Sequence, residues 1–406
     1  MAESPAAAYA QTSPGSAPNE VRIEAAEGTA PRLAGPVRRS AGLTIAGVVG
    51  LSVLSVVALI VTVYLIGGLG PSAFAIAGIL ALVPLAIVLI GVNWIDRWEP
   101  EPRGILIFAF LWGSGASVLL TLLIGAEIES IIASAGGSDS GYEFFGAVLQ
   151  APVVEEIAKG IGIVLIVWFA HKHFDGPVDG LVYAAWVAGG FAFTENILYF
   201  GSELLDSGGT GSVAQLFLVR GLMSPFAHVM FTACTGLALG FAARRTGRLG
   251  MLGFFFLGLI PAIALHALWN GALFFVDDFF VYYALVQFPL FVFGVLIVIF
   301  IRRQEAELTR IRLVEYAQAG WFSPEEVDAL ATGAGRRLSQ NWARKHGVSR
   351  LMRDYTRDAT KLAFTRQRLV TGRARVGAEA DEAELLSSIV ATRHALHAAA
   401  AGVRRT

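Results

Sequence analysis

Charge is scarce in this 406-residue sequence, where Asp, Glu, Lys and Arg together make up 16%. An average soluble domain carries about 25%. That deficit, with 55% apolar residues and a mean hydropathy of +0.61, excludes a soluble enzyme. Cysteine is nearly absent: Cys234 alone excludes an intramolecular disulfide framework, and in its apolar surroundings it reads as a small packing residue. The first 40 residues lack any apolar run and are rich in Ala, Pro, Ser and Gly. They read as a disordered tail, not as a cleavable signal peptide.

What the sequence does contain is a series of apolar runs of the roughly 20 residues that a transmembrane helix needs. The expected fold is all-α: a polytopic membrane helical bundle of about eight transmembrane helices with a cytoplasmic helical extension. The spans are expected near 43–66, 72–92, 104–124, 144–170, 180–200, 214–241, 250–276 and 279–301. Arg38 and Arg39, Arg97 and Arg103, His171 to His173, Arg244 to Arg248, and Arg302 and Arg303 flank the spans on one side. The alternate loops carry Glu127, Glu129 and Asp139, Glu203 and Asp206, and Asp277 and Asp278, with no Lys or Arg. By the positive-inside rule both termini are cytoplasmic, in a multi-pass plasma-membrane protein. Three regions follow: a tail over 1–40, a membrane domain over 41–301 and an extension over 302–406. The extension holds 19 Lys and Arg against 12 Asp and Glu. It suits the lipid bilayer surface better than nucleic acid, which is not an expected partner. Ser323-Pro324-Glu325-Glu326 there is a helix start, with a capping Ser, an early Pro and a Glu at the third position. His346, His394 and His397 read as solvated surface residues.

A charge near the bilayer centre costs roughly 2.5–3.5 kcal/mol on insertion scales, so each one in a span needs a reason. Span four holds Glu155, Glu156 and Lys159. At spacings of four and three residues, Lys159 can sit beside either carboxylate. The adjacent glutamates point about 100° apart, so one can face a site while the other orients a neighbour. Span five adds Glu195 and Asn196, span six His228 and Thr232 after Pro225, and span seven His266 and Asn270 on one face after Pro261. Their common depth points to convergence. His and Glu together suit a catalytic zinc site, with three protein ligands and a water; a remaining carboxylate would act as general base, and Asn270 could polarise a scissile carbonyl. Chemistry alone favours a membrane hydrolase over an ion- or proton-coupled transporter or a non-catalytic scaffold. No internal repeat supports the transporter.

The stretches "EEIAK" at 155–159, "GFAFTEN" at 190–196, "AHVMFTACTGLALG" at 227–240 and "HALWN" at 266–270 resemble the PrsW family of intramembrane proteases. That family is distantly allied to the CAAX prenyl endopeptidase and bacteriocin-processing families. "DRWEPEP" at 96–102 and "DGPVDGLVYAA" at 175–185 add to the likeness, which covers about 90 to 300. The resemblance implies a protease acting on a membrane-bound protein substrate, such as an anti-sigma factor. It implies Glu155, Glu156, His228 and Asn270 as catalytic residues, and Glu156, Glu195, His228 and His266 as ligands of a divalent metal, zinc by preference. Glu156 is the expected base or ligand, tuned by Lys159. The CAAX relatives usually carry His where Glu195 stands, which leaves two readings open: zinc-assisted hydrolysis, or water activated by glutamate and histidine alone. Among the flanking residues, Asp179 is expected to cap a helix, Asp175 to sit in a turn, and Glu99 and Glu101 to shape a loop beside Arg97 and Arg103. Gly236 and Gly240 form a face for close helix packing.

Overall fold

The structure, a computed structural model, describes residues 41–98, 100–134, 143–170, 174, 176–206, 210–243, 245–246, 248–372 and 377–403. The expected tail over 1–40, the turn residue Asp175, Glu99 and the basic residues 171–173 and Arg244 lie outside the described residues. Helix is the only regular structure among the described residues. The chain divides into two compact units, one of residues 46–302 and one that includes residues 303–403.

The first unit begins with α1 (Ala41–Ile95), α2 (Arg103–Leu111) and α3 (Val118–Ser134), the last two joined through a π-helical turn, Trp112–Ser117. A second π turn, Gly146–Gln150, leads into α4 (Ala151–Phe169), followed by α5 (Pro177–Asp206) and α6 (Thr210–Leu216). A third, Phe217–Met223, precedes α7 (Ala227–Ala243) and α8 (Arg248–Phe275). Then come α9 (Phe279–Tyr282), a π turn at Tyr283–Gln287, and α10 (Phe288–Gln318), whose residues from 303 onward belong to the second unit.

Six helices among the described residues, rather than eight, are long and apolar enough to cross a membrane. Two features account for the difference. The first two expected spans form one helical run, broken only at Gly70, whose φ of 76° a side chain would resist. The fourth expected span is the helix α4, whose Glu155, Glu156 and Lys159 lower its apolarity. Outward-facing residues such as Ile60, Val63, Ile79, Ile90, Phe256 and Ile260 are exposed, as a lipid-facing surface requires.

Helix α5 is the most buried of the six. Val182, Tyr183, Ala184, Ala185, Val187 and Ala188 are completely enclosed. Small residues permit this: a Cβ added at Gly236 on α7 would strike the Gly180 carbonyl on α5, and one added at Gly180 would strike that of Gly236. Asp179, expected as a cap before the helix, lies inside the first turn of α5 instead and accepts a hydrogen bond from the preceding Gly176 amide at 2.8 Å. Glu101 accepts one from the Tyr183 hydroxyl at 2.5 Å, and its own amide donates to Asp96.

In the second unit, α11 (Pro324–Ala331) starts at Ser323, where a capping box with Glu326 is complete. It is followed by α12 (Gly333–Lys345), α13 (Ser349–Val370) and α14 (Ala378–Val403), around a core that includes Leu313, Tyr316, Tyr355, Leu362 and Ile389. His394 is exposed, whereas His346 is half-buried and stacks on Trp342 at 4.4 Å.

Candidate active site

The π turn Gly146–Gln150 delivers the chain into α4, with Pro152 in the first helical turn, where its missing N–H costs nothing. One turn on, Glu155, Glu156 and Lys159 are all buried, Glu156 and Lys159 completely. Lys159 Nζ lies 2.6 Å from Glu156 Oε1 and 3.5 Å from Glu155 Oε2, the two pairings that the spacing predicts. Trp112 from the first π turn braces this helix by donating its indole N–H to the Ala158 carbonyl at 2.9 Å.

Helix α7 begins afresh after Ser224 and Pro225, where Pro interrupts the ladder and Ser224 closes the preceding turn onto the Val219 carbonyl. The restart puts His228 in the first turn of α7 and Thr232 on the next. His266 enters from α8 and Glu195 from α5. The His228 and His266 rings stand perpendicular, 5.1 Å apart, with Phe231 stacked on His266 and Phe191 against His228.

The polar atoms divide into two kinds. Glu156 is saturated: Oε1 meets Lys159 and His266 Nδ1 (3.1 Å), and Oε2 accepts from the Thr232 hydroxyl at 2.9 Å. Glu195 Oε2 is likewise shared, 2.7 Å from His228 Nε2 and 2.6 Å from an Arg220 terminal nitrogen. An ionised carboxylate only accepts, so the ring nitrogen facing it carries the proton. His266 is thereby left with a lone pair on Nε2, and His228 with one on Nδ1. The first lies 3.8 Å from Glu155 Oε2 and the second 3.3 Å from Lys159 Nζ. Glu155 Oε2, by contrast, is buried without a hydrogen-bond partner among the described residues.

Glu155, His228 and His266 bring their ligand atoms within 4.8 Å of one another, a set able to hold a divalent cation. The Glu155 oxygen that lacks a hydrogen bond and the two ring nitrogens with lone pairs, one of them facing Lys159, suit such an ion, and each histidine carries a carboxylate on its other nitrogen, as metal-bound histidines do. Of the expected ligands, Glu156 meets His266 Nδ1 and Glu195 meets His228 Nε2. Both belong to the cluster, and they also meet Lys159 and Thr232 in the first case and Arg220 in the second. The Asn270 side-chain amide donates to the Ala147 carbonyl at 2.8 Å, tying α8 to the turn before α4.

Arg220 is absent from the residues expected from the sequence. Its only signal there is a single cation inside the apolar "LFLVRGLM", eight positions before His228. A small polar cavity beside it is lined by Asn196, Arg220, Ser224, Pro225, His228 and Trp269.

The family model described as "PrsW family intramembrane metalloprotease" matches residues 101–296, a stretch that contains every residue of this cluster. Protease PrsW of Clostridioides difficile (strain 630) is 30% identical over 195 residues, covering 47% of this chain and 76% of that protein. Protease PrsW of Geobacillus kaustophilus (strain HTA426) is 34% identical over 147 residues, 36% of this chain and 57% of its own. Protease PrsW of Bacillus subtilis (strain 168) is 30% identical over 145 residues, 36% and 59% of the two chains. No solved structure matches the chain significantly.

Proposed function

This chain belongs to the PrsW family of intramembrane metalloproteases and is a membrane protease, and from that premise we propose that Glu155, His228 and His266 are its hydrolytic centre. They would hold a divalent ion, zinc by their donor chemistry. The observation that carries this reading is the buried Glu155 oxygen, which accepts no hydrogen bond, near two histidines that each meet a carboxylate. An ion held there supplies Lewis acidity, making water acidic enough to ionise near neutral pH.

The chain's own residues have separate tasks. Glu156 holds the His266 ring through Nδ1, and Glu195 holds His228 through Nε2. Lys159 offsets the negative charge of the glutamates on its own helix. Phe191 and Phe231 wall the rings, which keeps bulk solvent away from the polar atoms. Asn270 acts as a brace for α8. The substrate is a membrane-bound protein of the anti-sigma-factor kind, whose scissile bond must reach a site built on apolar helices. The loop charges support cytoplasmic termini at the plasma membrane, with residues 41–301 as the protease domain and 302–406 as a cytoplasmic extension.

One observation favours a second reading. The Lys159 ammonium already lies among the donor atoms, close to Glu156 and His228. In that reading Glu155 takes the proton from water directly, as a general base. Metal content by mass spectrometry, on purified full-length protein and its folded Glu155→Gln and His266→Ala variants, separates the two. About one zinc per chain, lost in both variants, is the expected result. A metal-free, proteolytically active wild type would overturn it in favour of the second reading.

A further inference from the structure

Arg220 has no task in the chemistry above, yet its placement is costly. An arginine near a helix end ordinarily extends its stem so that the charge reaches the membrane interface. Here the guanidinium turns inward and its side chain is only 18% exposed. It stands on the π-helical turn Phe217–Met223, a kind of local underwinding often found at functional sites.

Three contacts fix it. A terminal nitrogen lies 2.6 Å from Glu195 Oε2, Nε donates to Asn196 Oδ1 at 3.3 Å, and the guanidinium carbon lies 4.0 Å from the Tyr199 ring centroid. The planar fork is therefore held on two edges and one face. What it holds in turn is the same oxygen that His228 Nε2 meets at 2.7 Å. Arg220 and His228 thus converge on one atom of Glu195, and any movement of Arg220 moves the oxygen that sets the His228 ring. A general ion pair that merely neutralised Glu195 could engage either oxygen; this one uses the atom on which His228 depends.

We infer that Arg220 is a positioning residue of the hydrolytic site, acting through Glu195 to set the orientation of His228. The inference rests on the proposed role of His228. Charge alone is not enough, because lysine provides a point charge in place of the fork. Arg220 also walls the polar cavity beside His228, with Asn196 and Ser224.

The test is a double-mutant cycle on full-length protein in detergent, with a single-span membrane reporter as substrate. Arg220→Met is expected to lower kcat roughly 10- to 100-fold, the range typical of groups that orient metal-bound histidines, with KM within about twofold. Arg220→Lys is expected to recover only part of the loss. In a Glu195→Ala background, Arg220→Met is expected to cost nothing further, because the carboxylate it acts through is gone. Ring-nitrogen NMR of labelled histidine is expected to show His228 changed and His266 unchanged in Arg220→Met. Equal losses in both backgrounds, or an undisturbed His228 signal, would overturn the inference. If Arg220→Met does not fold, the same cycle with Arg220→Lys decides it. His228→Ala is the separate control: full activity there would instead remove the proposed role of His228.

Discussion

His266 Nδ1 lies 3.1 Å from Glu156 Oε1, while the Nε2 of the same ring lies 3.8 Å from Glu155 Oε2. Two adjacent glutamates therefore address opposite edges of one imidazole. Glu156 is bound on both oxygens, whereas Glu155 has one left over. Neighbouring residues on a helix diverge by about 100°, so a second helix can use the pair in this way without bending α4. Two carboxylates side by side thus end in different surroundings, one bonded on both oxygens and one with an oxygen that accepts no hydrogen bond.

That division predicts different outcomes for the two glutamates. Glu155→Gln is expected to abolish cleavage with an unfolding midpoint close to wild type, because Oε2 gives up no hydrogen bond. Glu156→Ala leaves Lys159 buried without its nearest carboxylate, and breaking a buried pair costs about 3–5 kcal/mol. It is expected to lose both cleavage and stability. Thermal unfolding in detergent beside a cleavage assay reads both quantities; equal destabilisation by the two substitutions would sink the distinction.

Thr232 should matter through Glu156 alone. Its hydroxyl donates to Oε2 at 2.9 Å, and the residue is completely buried. Thr232→Val keeps the shape and removes the donor, at a cost of about 1.5–3 kcal/mol for a hydrogen bond to a charged group. Reduced but measurable cleavage is expected, together with a lower unfolding midpoint. No change in midpoint would show that Glu156 needs no third partner.

The contact between Gly180 and Gly236 joins α5 to α7, the helices that carry Glu195 and His228. Because an added Cβ strikes backbone carbonyl oxygen, neither side can yield by rotating a side chain. Gly236→Val is expected to cost about 3 kcal/mol or more, at the upper end of overpacking penalties, and to abolish cleavage. Gly78→Ala in α1, where an added Cβ meets nothing within 4 Å, is the control expected to leave both unchanged. Tolerance of Gly236→Val would remove close helix packing as the reason for these glycines.

Much of this arrangement is legible in the sequence because polar residues stand out against apolar runs. Glu155, Glu156, Glu195, His228 and His266 are visible in this way, and so are the Ser323 cap and the Gly236 face. The separate tasks of Glu155 and Glu156 are not legible. They depend on Thr232 and His266, brought in from other helices, and local spacing treats both carboxylates alike. Arg220 escapes notice because a lone arginine near a helix end usually reaches toward the interface; only the turn at Phe217–Met223 points it inward. The joining of the first two expected spans into one helical run across Gly70 is likewise not legible there.

The loop after α1 carries a pH response separate from the hydrolytic cluster. Asp96 follows the first membrane helix directly and accepts the Glu101 amide on both oxygens, at 3.1 and 3.3 Å. Glu101 and Tyr183 pack beside it, and Asp179 lies near enough to repel its charge. Burial first, and Asp179 next, push its pKa from 3.8 up to about 7, against the opposing pull of the Glu101 amide. A carboxyl with a raised folded-state pKa keeps its proton where the unfolded chain has lost it, so the folded state binds more protons between these values. Its contribution to stability is therefore present near pH 4 and is lost as pH rises through about 7. Asp96→Asn, always uncharged, is expected to remove this part of the decline and to raise the unfolding midpoint relative to wild type at about pH 8. Unfolding midpoints measured across that range for both proteins test it, and parallel curves would assign the decline to other groups.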